Sequence, residues 1–447
     1  VALSLLSSCS AAAFIQQALT FTDIAPPGEV MTDTNPSSDQ PVLRDRPSKL
    51  HIPDLDILRG LAALMMVTNH LAVKVLTPEQ WSNGFLGNLT FIGSFAPVVF
   101  FFVTGMGYGI QSQRQQHSSR WSSVLNKVAI LMVADLLMHW SVGRWIGLDF
   151  LGFIGLSMLL LEVIRLRKQP ILYCAAGIVI ISGLRFISVP LITKLFGYTV
   201  DLPIVHWILG NPAVPGISYP LSPWIVYPLL GFIVGAMAVR HWAMINTRRW
   251  QMVIKLTGLA LFPTLIGFVI AWKGGVFFRW GTMNLNFYIV SFAAILFSMA
   301  GSLAICATAK SKPQLKPLQT ALALPGIASF AIVPIHYFLI ALLARAGVKD
   351  LHGFSFCLML LILTTLTFLL AQGLAEFSHK LSQMQSQKKL WLMLVVAIAL
   401  FSGITLLFGQ EAALLPLFTR TDGQLLLCLL FAVRSPFEQP SLKSQAA

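Results

Sequence analysis

The chain has 447 residues, 56% of them hydrophobic and only 11% charged, with a mean hydropathy of +0.75 and a formal net charge of +14. That composition excludes an ordinary soluble globular domain and predicts an all-α, polytopic transmembrane helix bundle. The five cysteines are scattered, which excludes a disulfide framework, and no metal-ligand spacing is present, so no metal is expected.

In chain order, residues 1–50 read as a polar, disordered, cytoplasmic tail. Its opening, "VALSLLSSCSAAAF", resembles a lipoprotein signal in "LSSC", but it has no basic n-region and too short an apolar part. A start at Met31, in "MTDTNPSSDQ", fits better. A helix needs about 20 residues to cross a ~30 Å hydrocarbon core. Apolar runs at 57–76, 89–111, 124–145, 150–164, 171–190, 222–239, 254–271, 286–307, 322–344, 354–374 and 390–408 give about eleven spans. A shorter run at 424–433 is either a twelfth span or a surface helix, so the range is ten to twelve. Residues 51–435 are thus expected to form one transmembrane domain, followed by a tail at 436–447.

The positive charge follows topology. With the amino terminus inside, nineteen of the 31 Lys and Arg fall in inner segments and eight in outer ones, every inner segment carrying at least three. The basic balance therefore indicates an integral membrane protein with a cytoplasmic amino terminus, and no nucleic-acid partner. The expected membrane is the inner (plasma) membrane.

An ionisable residue inside the bilayer is costly and marks a functional hypothesis. The first span, "LDILRGLAALMMVTNHL", carries Asp56, Arg59 and His70. Arg59 and His70 are eleven residues apart, which returns the side chain to within about 20° of one face, ~16 Å further along the axis. Asp56 lies one turn before Arg59 and can fix its rotamer. A cation at one end and an imidazole at the other suit a long ligand with an anionic head and a reactive tip. Arg59 would hold phosphate and His70 would act as general base or transient nucleophile. Snorkelling interfacial residues at a helix end are the competing account.

Further along, Asp135 and His139 on the third span are spaced i, i+4, so the carboxylate is placed to set the histidine tautomer; a structural pair between helices competes with that role. Glu162 is expected to balance Arg165. Gly105, Gly107 and Gly109 on the second span suit close helix packing. The long outer segment at 191–224 is rich in proline and aromatics and is expected to cover the outer mouth and shape an acceptor site. On the ninth span, "GIASFAIVPIHYFLI" sets His336 two residues after the helix-bending Pro334.

These segments carry a family resemblance. The Arg59-to-His70 spacing resembles the signature of the acyltransferase-3 family. A related branch resembles the catalytic domain of heparan-alpha-glucosaminide N-acetyltransferase and shares the Arg-Gly start and an Asn at the place of Asn69. Similar to that branch are "SFAPVVFFFVTGMGYGIQSQR", ending in Arg114, then "GLDFLGFIGLSMLLL", "YPLSPWIVYPLLGFIVG" with Trp224, and the His336 helix; together they cover roughly 56–337.

The resemblance implies transfer of an acetyl or other acyl group from cytoplasmic acetyl-CoA (acyl-CoA) to a carbohydrate or glycolipid acceptor on the far side. It implies no tightly bound cofactor, membrane lipids as surroundings, and a chain able to oligomerise. It makes His70 the catalytic residue with Asp56 and Asn69, gives Arg59 and Arg114 the donor, and leaves His336, Asp135, His139 and Trp224 as pocket residues. In the lysosomal enzyme the catalytic histidine falls in the outer loop about ten residues past the Asn; here that region reads "LTPEQWSNGF" and has no His, which points to His70. Asn69 is offset from His70 by ~100°, so it reaches the same pocket only if the pocket wraps round the helix or the helix end is irregular. A transporter or exporter of an anionic or lipid-linked substrate, and a catalytically inactive scaffold, are the alternatives; the lack of a visible internal repeat counts against the transporter.

Overall fold

The computed structural model describes residues 52–82, 84–114, 121–141, 148–196, 219–272, 285–327 and 329–384, with 208, 391 and 395 as isolated positions. The contacts divide the chain into two units, 1–51 and 52–447, and the described residues all belong to the second. The predicted spans at 390–408, apart from 391 and 395, and at 424–433 and the two tails lie outside the described residues.

Helix α1 (Pro53–Val75) begins with proline in its first turn, where a missing N–H costs nothing, and with Asp54 and Asp56 at the positive end of the helix dipole. After the short α2 (Pro78–Ser82), α3 (Gly84–Gly93) and α4 (Ala96–Arg114) follow each other across a break at Ser94 and Phe95, just before Pro97. Next come α5 (Trp121–Ser141), α6 (Phe150–Arg165), α7 (Pro170–Phe196), the one-turn α8 (Leu221–Trp224), α9 (Val226–Arg240), α10 (Trp242–Thr247), α11 (Arg249–Trp272) and α12 (Leu285–Ser311). The chain then forms α13 (Lys316–Ile327), α14 (Ser329–Arg345) and α15 (Gly353–Met384). Among the described residues no strand is formed, so the fold is all-α as the composition requires.

Among the described residues, six stretches are long and apolar enough to cross a membrane: Gly84–Gln113, Trp121–His139, Leu221–Arg240, Arg249–Ile270, Phe287–Ser311 and Gly353–Leu374. The protein is an integral membrane protein. The other predicted spans that the structure describes differ from these for separate reasons. Helix α1 is diluted by Arg59, Asn69, His70 and Lys74, and α6 has only 16 residues, whereas α7 is a 27-residue helix whose described apolar piece is Pro170–Gly183. The run predicted as one span at 322–344 is a bent pair, α13 and α14, which reaches seven spans if counted as one. Pro325 and Pro334 inside that pair each remove a helix hydrogen bond.

Helix α1 is the hub, packing against α3, α4, α12, α13, α14 and α15. Two glycines let α13 lie directly on its backbone: a Cβ on Gly60 would fall on the Leu322 carbonyl, and one on Gly326 on the Asp56 carbonyl. The same device joins α4 to α9, where Gly105 and Gly109 face Pro228 and Phe232, and Gly231 and Gly235 face Phe102 and Met106. The second-span glycines thus divide: Gly105 and Gly109 are packing residues, whereas Gly107 faces open space. Tyr227 Oη and Ser291 Oγ, 2.8 Å apart, join α9 to α12. Helix α11 lies outermost, with Ile254, Phe262 and Leu265 all more than half exposed, as lipid-facing positions should be.

Charged pairs gather at the amino-terminal end of α1. Arg249 holds Asp54 bidentately at 2.8 and 3.2 Å, joining α11 to α1, and Arg59 reaches Asp56 at 3.1 Å. The expected Glu162–Arg165 pair is formed inside α6, at 2.8 and 2.6 Å, with both side chains 2% exposed.

Candidate active site

Towards the other end of α1, a cavity of about 40 Å³ opens among Asn69 and His70, Asp135 of α5, Asp149 and Phe150 at the start of α6, Tyr219, and Tyr337 of α14. One water-sized sphere takes roughly 10–15 Å³, so there is room for about three such groups, the bulk of an acetyl moiety. Asn69 and His70 both line it although they point ~100° apart, because the cavity wraps round a helix that stays regular to Val75. Asn69 donates to the Thr90 carbonyl at 3.1 Å, and Gly93 gives α3 room beside Met65 and Asn69.

His70 is the end of a chain of hydrogen bonds whose direction is set at its far end. His336 Nδ1 lies 2.7 Å from the Ile332 carbonyl, which can only accept, so that nitrogen carries the proton. In an uncharged ring His336 Nε2 is then an acceptor, and it lies 2.8 Å from His70 Nδ1, which must donate. This leaves His70 Nε2 with a free lone pair, and the Tyr337 hydroxyl donates to it at 3.2 Å. The tautomers are assigned from the network. The two imidazoles are only 11° from parallel with centroids 5.1 Å apart, which at a nitrogen separation of 2.8 Å means that they meet edge to edge. His336 is fully buried behind His70.

The third-span pair meets differently from its expected form. Asp135 and His139 share a face, but His139 Nδ1 bonds the Asp135 backbone carbonyl at 2.8 Å and stands 3.6 Å from the carboxylate. The carboxylate faces the start of α6, and His139 does not line the cavity. Trp224 stands behind the wall, packed edge-on against Tyr219 at 4.8 Å and near Phe101 at 5.8 Å. Arg59 lies about 16 Å and Asp56 about 21 Å along α1 from His70, and neither lines the cavity; the Arg59 side chain is 32% exposed. Arg114 closes α4, and its side chain is outside the described ones.

Of the lining residues that the sequence did not single out, three are ionisable. Tyr337 is adjacent to His336 in "PIHYF" and was visible only as an aromatic neighbour. Asp149 caps α6, its side chain accepting the Phe150 N–H at 2.8 Å, and a lone Asp before an apolar run was the available cue. Tyr219 is at the described end of the long Pro-rich outer segment. Burial above all, then Asp149 and Tyr337, pushes the Tyr219 phenol well above its ordinary range, so it stays protonated at neutral pH. Among the described residues no group of three or more His, Cys, Asp or Glu could hold a metal.

No curated protein matches the chain. The family model described as heparan-alpha-glucosaminide N-acetyltransferase, catalytic, matches residues 51–271, which include Asn69, His70, Asp135, Asp149 and Tyr219. Over that stretch the chain is similar to the heparan-alpha-glucosaminide N-acetyltransferase catalytic domain.

Proposed function

We propose that the protein is an integral membrane acyltransferase that moves an acetyl group from cytoplasmic acetyl-CoA to a hydroxyl or amine of an envelope or extracellular glycan. The observation that carries this is the hydrogen-bonded chain of His336, His70 and Tyr337, which makes His70 Nε2 the accepting nitrogen, beside a cavity of about 40 Å³ within the domain that this family model matches in part. With the amino terminus inside, α1 runs outward and brings His70 into the outer half of the membrane.

In this scheme the acceptor O–H or N–H gives its proton to His70 Nε2 as its heteroatom attacks the thioester carbonyl. The Tyr337 hydroxyl, released from His70, turns to the carbonyl oxygen and stabilises the charge that develops there. The tetrahedral intermediate then breaks its C–S bond, and the His70 proton goes to the leaving thiolate. His336 takes part of the positive charge on His70 through the Nδ1–H bond without leaving its place. Arg59, its rotamer set by Asp56, is the phosphate-binding group at the cytoplasmic end.

The test supplies acetyl-labelled coenzyme A to the cytoplasmic face of sealed vesicles and follows label into outer glycans. Wild type labels them and His70→Ala does not. Equal labelling by the two overturns the assignment of His70. Release of the label by hydroxylamine marks an ester, and resistance an amide.

A further inference from the structure

Asp135 has one carboxylate oxygen committed and one left over. Oδ2 accepts the Asp149 backbone N–H at 3.2 Å, and the Gly152 amide also bonds the carboxylate. Gly152 is what allows this fit, since a Cβ there would come within 2.6 Å of Oδ2. The first turn of α6 therefore holds the carboxylate in one orientation. Oδ1 is buried without a hydrogen-bond partner, on a residue 4% exposed that lines the cavity beside His70 and Tyr337.

A buried carboxylate oxygen with no donor is costly, and native proteins retain such a group where something else completes it. The cavity walls tell what that is. Asp149 is a second carboxylate in the lining, and no Lys or Arg lines it among the described residues. Its polar remainder is neutral: Asn69, Ser94, Tyr219 and Tyr337. Such a site welcomes an O–H donor or an ammonium and repels an anion.

We propose that Asp135 Oδ1 anchors the acceptor, taking a hydrogen bond from a sugar O–H or N–H next to the reacting group, and that with Asp149 it excludes sugars carrying an acid there. This rests on the acyltransferase reading above and adds its acceptor subsite. The anchor and the base are then separate groups on separate helices, Asp135 on α5 and His70 on α1. Binding energy from the neighbouring group can orient the nucleophile towards the thioester.

The experiment uses the full chain in nanodiscs, acetyl-labelled coenzyme A, and a glycan extract of the same cells titrated as acceptor. Asp135→Asn keeps the shape but puts an amide where the carboxylate was. The expected result is at least a tenfold rise in the half-saturating glycan concentration, with that for acetyl-CoA and the melting temperature unchanged. In the same assay glucose and glucosamine compete with the extract on wild type and glucuronate does not. Wild-type acceptor dependence in Asp135→Asn, or glucuronate competing as well as glucose, overturns the inference while leaving the transferase reading intact. A melting temperature or acetyl-CoA dependence that falls with the substitution also overturns it, by making Asp135 a structural group. No labelling by wild type overturns the transferase reading and this inference with it.

Discussion

His70 Nδ1 and His336 Nε2 lie 2.8 Å apart across 266 positions of sequence, with their rings in line. The contact fixes which nitrogen of His70 is basic. A histidine serving as base must offer an unprotonated nitrogen to the substrate, and the partner of the other nitrogen decides which one that is. Here the deciding group is a main-chain carbonyl, Ile332, acting through His336.

If His336 is the positioning residue for His70, His336→Phe should keep the buried ring and lose the acceptor. Transfer is expected to fall about 10- to 100-fold, a part of the 10²–10⁴ attributed to a positioned base. Half-saturation by acetyl-CoA should stay unchanged, and His336→Asn should recover part of the rate by accepting from His70. Steady-state kinetics on the purified full chain separate these outcomes from a mere loss of folding.

Tyr337→Phe removes only the hydroxyl that bonds His70 Nε2. The expected loss is about 10²-fold in turnover, the usual cost of one donor to a developing oxyanion. Because the ring stays, acceptor and donor half-saturation should move less than twofold. A single-turnover measurement with labelled acetyl-CoA reads the chemical step directly.

The pair Glu162–Arg165 makes a stability prediction, being fully buried and within one helix. Glu162→Gln leaves an uncompensated buried guanidinium and should cost about 3–5 kcal/mol. Replacing both partners, Glu162→Leu with Arg165→Met, should return most of that loss, since a packed apolar pair substitutes well for a buried ion pair. Thermal unfolding in detergent, followed by tryptophan fluorescence, orders the three proteins.

At Gly326 a methyl group would meet the Asp56 backbone. Gly326→Ala is expected to cost about 1–3 kcal/mol by forcing α13 off α1. Gly107→Ala, where the added carbon meets open space, should be neutral or stabilising by up to about 1 kcal/mol, since alanine favours helix. Melting temperatures of the two variants in the same detergent test the contrast.

Membrane embedding, helical class and the polar stripe on α1 were legible in the sequence because they depend on local quantities: the length of apolar runs and the repeat of an α-helix. Asp56, Arg59 and His70 could be singled out for the same reason, since a polar residue in an apolar run is conspicuous by composition alone. The apolar run at 322–344 was legible in the same way, whereas its division into the bent pair α13 and α14, each with a proline inside it, was not. What Asp135 faces was decided by tertiary structure. An i, i+4 spacing brings His139 near, but the absent Cβ of Gly152 draws the carboxylate onto α6. Likewise, nothing near His70 in sequence announces His336 or Tyr337, because a hydrogen bond between helices depends on how their backbones approach and cross. Composition and helical repeat mark which residues are costly to hold in a membrane; which of them meet depends on how α14 packs on α1 and how α5 and α6 close the cavity beside it.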